Sequence, residues 1–400
     1  MATIPVEQAR SVAMFHAASK SAPDIADRQM ARFFGSDLDP NPIIIFDLTG
    51  SPAFYDFSFY QQAQLVGVIR CTADTRLQSA AWAFEPPSRQ LSDTNALKIA
   101  TEAMNKIAPD ATLVSHSFVA YSYAKIGVRV SYVKDGHPAS FIVDYYDRSV
   151  LTQTDLAPSP PPVDLLDSID GLIPHSILDS QKLGFLDVSE PEPLRGQSER
   201  EMIRSIVSGI LPESGDLPDI KFDDSDYKTL QAYFAATPPA IASSILPVPL
   251  FAQITPVYCA VASAQMILAY FGFAATPEQI AEQMKPGPKG ATNKAQVSAY
   301  QFFAGGRLAP TFDQAPSFDH ALDALQKFIP FKSGLPGHAR VCRGWKQYSF
   351  VSSLTGNVTG TEHYFLINDP YPVGEGSIRW ENLKNHNYAN AISFSRMGGT

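Results

Sequence analysis

Hydrophobic residues recur along the first part of the chain in two patterns, one with helical spacing and one typical of strands. The helical pattern covers residues 6–34 and has a break at Pro23. Three strand-like runs follow, at residues 54–60, 64–71 and 78–84. Short connections between such runs favour antiparallel pairing, so this stretch predicts a helix followed by a meander.

The same order of elements then returns. Residues 92–107 predict a second helix, for which Ser92 or Asp93 supplies the N-terminal cap. Three more strand-like runs follow it, at residues 112–123, 127–133 and 140–147. We interpret residues 1–155 as two α+β units that resemble cystatin-like or PepSY-like units, with a propeptide-like or regulatory role.

The composition changes after this region. Residues 156–164, "LAPSPPPVD", predict a stiff, extended stretch, and the chain stays acidic and proline-rich as far as residue 245. Helical patterns inside this part cover residues 197–211 and 226–236. We interpret residues 156–245 as a connector with short helices and residues 246–400 as the last domain.

Composition and charge exclude several classes of protein. The chain has 400 residues, 45% of them hydrophobic, and a net charge of −9 without any run of Lys or Arg, which argues against a nucleic-acid binder. Three widely spaced cysteines form neither a disulfide framework nor a metal-binding pair, and we expect no metal and no cofactor. The N-terminus shows no signal-peptide pattern, and we expect no membrane span.

The stretch "QITPVYCAVASAQMILAYFGF", residues 253–273, carries the candidate chemistry. Its pattern predicts a helix that begins near Tyr258 or Cys259, ends at Gly272 and is apolar on every side, as in a buried helix. A thiol at a helix N-terminus is favoured in its reactive thiolate form. An isolated cysteine at such a place is more often an inert core residue, so the interpretation of Cys259 as a nucleophile needs partners.

Two later motifs supply those partners. His338 in "PGHARVCRGW" follows a glycine and precedes a strand-like run, so we assign it as general base and acid. Asp369 ends the apolar run of "EHYFLINDPYP", where a carboxylate can accept a hydrogen bond from an imidazole. Gln253 precedes Cys259 by six residues, and we assign it as an oxyanion donor. The alternates are His363 as base and Asn368 as orienter.

Together these motifs resemble the papain-like cysteine peptidases, and especially their C39-like branch. The resemblance covers roughly residues 247–383 and includes "TPEQIAEQM", which is similar to the second helix of that family. It implies a central helix packed on an antiparallel sheet and a Cys–His–Asp mechanism. An Asp-Pro commonly stands in this branch where papain has its asparagine, which implies Asp369 rather than Asn368 as orienter.

The chain also departs from papain. Tyr258 and Ala260 flank the cysteine, the Cys-to-His spacing is much shorter, and the Asn-Ser-Trp motif is absent. A polar insertion is predicted at residues 346–362, between the last two strands.

These patterns predict a cysteine peptidase that acts on a peptide or protein substrate and is made as a zymogen. Two other functions are consistent with the same residues, a thiol acyltransferase and a non-catalytic binding protein on a papain-like frame. Both a cytoplasmic and an exported location are compatible with the sequence, as is any oligomeric state.

Overall fold

A computed structural model provides the structure of the chain. It describes residues 3–20, 28–73, 81–122, 125–151, 199–211, 221–288, 290–313, 318–335, 337–351, 356–382 and 390–396. The proline-rich stretch 156–164 lies outside the described residues. So does more than half of the predicted connector, namely residues 156–198 and 212–220.

The N-terminal half contains three described α-helices, a short 3-10 helix (Pro87–Arg89) and nine described strands. The helices are α1 (Val6–Lys20), α2 (Arg28–Ala31) and α3 (Asp93–Ile107). The strands are β1 (Asp37–Leu38), β2 (Ile43–Phe46), β3 (Pro52–Gln61), β4 (Gln64–Thr72), β5 (Ala81–Glu85), β6 (Thr112–Ser122), β7 (Lys125–Lys134), β8 (His137–Asp144) and β9 (Val150–Leu151). These include both predicted helix-plus-meander groups, in the predicted order.

The C-terminal half contains six described helices and seven strands. The helices are α4 (Glu199–Ser208), α5 (Asp224–Ala236), α6 (Cys259–Tyr270), α7 (Pro277–Met284), α8 (Asn293–Ala304) and α9 (Phe318–Gln326). The strands are β10 (Ala240–Ile245), β11 (Leu308–Asp313), β12 (Phe331–Leu335), β13 (His338–Val351), β14 (Val358–Asp369), β15 (Ser377–Asn382) and β16 (Asn390–Arg396). None of the described helices has the length and apolar character needed to cross a membrane.

One sheet runs through both halves. Its order is β11-β16-β12-β13-β14-β15-β5-β4-β3-β2-β6-β7-β8-β9, with β1 paired to β3 and β10 paired to β13. The two halves join where β15 pairs antiparallel with β5, at Trp380 with Phe84 and Glu381 with Ala83. The α+β class predicted from the sequence is confirmed, and the cystatin-like or PepSY-like character of the N-terminal part stays a prediction.

Local sequence explains the N-terminal elements. The Ser92 hydroxyl accepts a hydrogen bond from the backbone N–H of Asn95 and so caps α3, as the sequence predicted. Asp135 and Gly136, between β7 and β8, both have positive φ, the geometry of a tight hairpin turn. Helix α1 packs on β3 and β4, and α3 packs on β6 and β7, so each meander is covered by the helix that precedes it.

The C-terminal half is built around α6. Val261, Met266, Ile267 and Leu268 of this helix are completely buried, and it packs against β12 and β13. The helix begins at Cys259, as the apolar pattern predicted.

The prediction of a polar insertion at residues 346–362 is wrong. Strand β13 continues to Val351 and pairs with β14 along most of its length. Alternate side chains of this extension, including Tyr348 and Phe350, are buried. The alternation of buried and less buried side chains, rather than the overall polarity of the segment, therefore determines that it forms a hairpin.

A single hydrophobic core spans the joint between the halves. Phe84 of β5 packs edge-on against Phe33 of the N-terminal half and Tyr364 of β14. The same cluster includes Phe234 of α5 and Trp380 of β15. The N-terminal region is therefore held to the C-terminal half by apolar packing as well as by strand pairing.

Candidate active site

Cys259 is the first residue of α6 and is 8% exposed. Its backbone position places the thiol at the positive end of the helix, where a thiolate is stabilised. The other two cysteines, Cys71 and Cys342, are completely buried, and burial raises the pKa of each thiol well above its ordinary value. Only Cys259 therefore has the surroundings of a reactive thiol.

His338 is the first residue of β13, directly after Gly337, whose φ of 65° lies in the left-handed region that favours glycine. The imidazole is buried, and its Nε2 lies 2.6 Å from Oδ1 of Asp369. The turn thus places the imidazole at the edge of the sheet where β14 ends, which brings the predicted base to the predicted orienter.

Asp369 is completely buried at the end of β14 and has three partners. Its Oδ1 faces His338 and also accepts the backbone N–H of Tyr371 at 2.9 Å, and its Oδ2 accepts from Nη2 of Arg379 at 2.7 Å. Burial alone would raise the pKa of Asp369, but the charges of His338 and Arg379 hold it well below its usual range. The carboxylate therefore stays ionised and is fixed in orientation.

The thiol and the imidazole act on each other. Burial alone would raise the pKa of Cys259, but its interaction with His338, the charge of Lys125 and the backbone N–H of Ala339 lower it to about 7. For His338 burial acts in the opposite direction and lowers the pKa, because the charged form of histidine is the protonated one. Asp369 and Cys259 raise this pKa, and the net direction is upward. Both shifts favour a thiolate beside an imidazolium.

The contact between thiol and imidazole is looser than the one between imidazole and carboxylate. Nδ1 of His338 has no partner of full hydrogen-bond geometry among the described residues, while Nε2 is held by Asp369. Nucleophile–base contacts are often long before substrate binds, so this geometry is compatible with a working pair.

Gln253 lies beside the turn that follows Asp369. Its backbone N–H donates to the carbonyl of Pro370, and its own carbonyl accepts from Gly374, both at 2.9 Å. The side chain is buried, and its Nε2 donates to the carbonyl of Thr255 at 3.0 Å. One N–H of the amide is therefore taken by the loop, and the second is left for another acceptor.

The two alternates lie away from this cluster. Asn368 directs its Nδ2 to the carbonyls of Val248 and Pro249, each at 3.1 Å. His363 lies six residues before Asp369 on β14, which corresponds to about 20 Å along a strand, and its Nε2 is 3.2 Å from Oε1 of Gln347. The side chain of Asn368 is therefore directed to the stretch around Val248, and that of His363 lies far along the strand from Asp369.

Sequence reasoning missed three side chains around the site. Arg379 binds Asp369, Tyr371 packs its ring edge-on against His338 at 6.3 Å, and Lys125 places its charge near Cys259. Arg379 carries a signal in the sequence, because a charged residue between Ile378 and Trp380 in a short apolar run needs a buried partner. Lys125 is far away in sequence and carries no such signal.

A second buried cluster contains three side chains of types that bind metals, His16, Glu199 and Glu362. Nε2 of His16 lies 2.5 Å from Oε1 of Glu199, and the ammonium of Lys20 pairs with Glu362. Asn382 donates to the other oxygen of Glu199 at 2.9 Å. The cluster thus already contains a cation, and it ties α1 and α4 to β14 rather than offering an open metal site.

Comparisons with known proteins concern the C-terminal part. Residues 245–399 match the Peptidase_C39 like family. No curated protein matches the chain. Two solved structures are similar to it: a double glycine motif protease from an AMS/PCAT transporter, solved in complex with the leader peptide, and the peptidase domain of Streptococcus ComA, a bi-functional ABC transporter involved in a quorum sensing pathway.

The first of these structures is 18% identical, with a TM-score of 0.27, over 38% of this chain and 95% of the other. The second is 15% identical, with a TM-score of 0.26, over 38% of this chain and 99% of the other. Likenesses this small say nothing about activity, and the family match is the finding that matters. Residues 245–399 form a C39-like domain of papain-like type.

Proposed function

We propose that the C-terminal domain is a cysteine peptidase. In this proposal Cys259 is the nucleophile, His338 the general base and acid, Asp369 the orienter and Gln253 an oxyanion donor. The observation that supports it is the buried His338–Asp369 contact of 2.6 Å next to a thiol whose pKa is lowered to about 7. Buried structural cysteines show the opposite shift, as Cys71 does.

The proposed reaction has two steps. The Cys259 thiolate attacks the carbonyl carbon of a peptide bond, and the imidazolium of His338 gives its proton to the leaving amine. A thioester results, and His338 then takes a proton from water as the water oxygen attacks the thioester carbon and the thiolate leaves. In this proposal the backbone N–H of Cys259 and the side-chain amide of Gln253 stabilise the oxyanion in both steps.

The chemistry defines the substrate class as a peptide or protein and needs no cofactor, because an ionised thiol with an imidazole is sufficient. A thiol acyltransferase would pass through the same thioester and differ only in the acceptor. Adding a glycine peptide as an amine acceptor during turnover separates the two, since a transferase yields mainly the amide product and a hydrolase mainly the acid.

The test of the proposal is alkylation of the full-length chain by iodoacetamide across a range of pH, read at each cysteine by mass spectrometry. We expect Cys259 to label with a midpoint near pH 7, below the value of about 8.5 for a free thiol, and Cys71 and Cys342 to label hardly at all. In His338→Ala the midpoint should rise above the free-thiol value, because burial then dominates.

A peptide library that includes double-glycine peptides, incubated with the wild type and with Cys259→Ser, completes the test. Cleavage that disappears in the variant supports a peptidase. Ordinary reactivity of Cys259 together with no cleavage would instead favour the binding protein on a papain-like frame.

Two roles for the N-terminal region are compatible with the sequence. A removable propeptide remains a prediction, and it requires activity to rise when the chain is cut by limited proteolysis. The continuous sheet and the shared core favour the other role, a permanently attached module, because removal would expose the edge of β15 and the buried faces of Trp380 and Tyr364.

A further inference from the structure

The position of Asp369 depends on two neighbours. Oδ1 is held by the backbone N–H of Tyr371 at 2.9 Å, and Oδ2 is held by Arg379 at 2.7 Å. Both neighbours belong to the C-terminal domain, and each also contacts a carboxylate of the N-terminal region. Arg379 is held within its own strand too, because its Nε donates to Glu381 at 2.5 Å.

The first anchor is Asp144, the last residue of β8. The hydroxyl of Tyr371 donates to this carboxylate and lies 2.8 Å from its Oδ1 and 2.7 Å from its Oδ2. Asp144 is completely buried and also accepts the hydroxyl of Tyr121 and the backbone N–H groups of Tyr146 and Asp147. The acceptor is therefore fixed by its own unit, and it fixes Tyr371.

The second contact is a longer ion pair between Arg379 and Glu85, the last residue of β5. Its Oε1 lies 3.8 Å from Nη1 of Arg379 and 3.6 Å from Nη1 of Arg70. Arg70 in turn forms a two-bonded pair with Asp56, with both distances 2.7 Å. The charges alternate in sign from Asp56 through to Asp369, and the pairing of β5 with β15 brings Glu85 to this place.

We propose that the N-terminal region positions the catalytic base: Asp144, acting through Tyr371, and Glu85, acting through Arg379, hold Asp369 against His338. Asp144 and Glu85 are positioning residues, since neither touches the thiol or the imidazole. The inference deepens the proposed function and rests on it, because it assigns to the N-terminal region the orientation of the His338–Asp369 pair.

Other charged groups face the same cluster and have to be considered. Lys125 of β7 lies on the thiol side, with its Nζ 5.8 Å from the ring centre of Tyr371. Arg340 faces Asp369 from β13 and is paired with Glu381 at 2.6 Å. Arg89 faces the ring of Tyr371 at 5.3 Å. In the described part of the chain, none of these three groups forms a hydrogen bond to Asp144 in place of the Tyr371 hydroxyl.

The test uses the full-length chain with Tyr371→Phe, which removes only the hydroxyl and keeps the backbone N–H on Asp369. Glu85→Gln is the second variant, so the proposal stays testable if one of them folds poorly. The measurement is the pH midpoint of iodoacetamide labelling at Cys259, together with the rate at pH 7. A rise of the midpoint from about 7 to about 8 corresponds to a fall of about fivefold in the rate at pH 7.

A matched control for the hydroxyl is Tyr145→Phe. Tyr145 is also buried in the N-terminal region, and its hydroxyl accepts hydrogen bonds from Ser92 and Asn95, away from the site. The control for the carboxylate is Asp47→Asn, a buried acid that binds the backbone N–H groups of Thr49 and Ser51. We expect both controls to keep the wild-type midpoint, whatever their effect on melting temperature.

The outcomes separate the inference from the proposed function. The inference is overturned if Tyr371→Phe and Glu85→Gln both keep the wild-type pH midpoint of Cys259 labelling while His338→Ala still raises it. Equal shifts in the variants and their controls overturn it too, since the effect is then general loss of stability. If His338→Ala itself leaves Cys259 labelling unchanged, the proposed function is wrong.

Discussion

Asn368 and Asp369 are adjacent in β14, and their side chains bind partners on opposite faces of the sheet. Asn368 directs its amide to the carbonyls of Val248 and Pro249, and Asp369 directs its carboxylate to the imidazole of His338. Successive side chains of a strand point to opposite faces, so these neighbouring residues have different partners and different expected roles. The pair therefore offers two neighbouring substitutions with different expected effects.

Asp369→Asn should abolish most of the proposed activity. An amide in place of the carboxylate removes the charge that raises the pKa of His338, so we expect peptide hydrolysis to fall about a hundredfold or more. Labelling of Cys259 should move to higher pH for the same reason. The loss of charge also leaves Arg379 with fewer partners, and we expect a lower melting temperature. Activity within threefold of wild type would contradict the assignment of Asp369.

Asn368→Ala should act on stability and not on the thiol. The buried carbonyl of Val248 and the partly buried carbonyl of Pro249 would lose their donor, which costs about 1–3 kcal/mol in the free energy of unfolding. Urea denaturation measures this cost. The labelling midpoint of Cys259 should remain near 7, and a shift as large as that in Asp369→Asn would mean that Asn368 is the orienter after all.

The proposed hydrolysis should have a bell-shaped dependence on pH. On the acid side the rate should rise as Cys259 loses its proton, with a midpoint near pH 7. On the alkaline side it should fall as the imidazolium of His338 loses its proton, above the ordinary histidine pKa of about 6.5 because that pKa is raised. A profile of kcat/KM against pH with a cleaved peptide measures both limbs. A rate that falls between pH 6 and pH 7 would contradict the signs of these shifts.

Lys125→Met should move the acid limb of that profile to higher pH. The Lys125 ammonium favours the thiolate of Cys259, and it is partly exposed, so its effect is screened. We expect a rise of about 0.2–0.7 pH unit, the size that an exposed charge pair of about 0.2–1 kcal/mol gives. Lys134→Met, an exposed change at the far end of the same strand, is the control and should leave the limb in place. High salt should reduce the difference between Lys125→Met and wild type.

Local patterns in the sequence predicted most of the elements and the pair of residues at the centre of the candidate site. The apolar stretch placed the start of α6 at Cys259, and the ends of two strand patterns placed His338 and Asp369. These features depend on residues close together in the chain, where periodicity and turn chemistry apply. The structure brings His338 and Asp369 into contact, as expected.

The relationship between the two halves could not be predicted in this way. Pairing of Phe84 with Trp380 joins strands almost three hundred positions apart, and no local pattern encodes which edges meet. The roles of Tyr371 and Glu85 follow from that pairing and so were missed. The hairpin at residues 346–362 was missed for a different reason. The segment is polar overall, and this concealed the alternation of apolar and polar residues that is typical of a β-strand.

The shared core predicts that the full chain unfolds as one unit. Phe84 is completely buried and contacts Phe33 on one side of the joint and Tyr364 on the other, so the core cluster that the two halves share is disrupted when either half opens. We expect a single transition in differential scanning calorimetry. Phe84→Ala should lower its free energy of unfolding by about 3–5 kcal/mol. Phe302→Ala, at a side chain that is 62% exposed, is the control and should leave the transition almost unchanged. Two separate transitions, with only one moved by Phe84→Ala, would show that the halves unfold independently and would contradict this prediction.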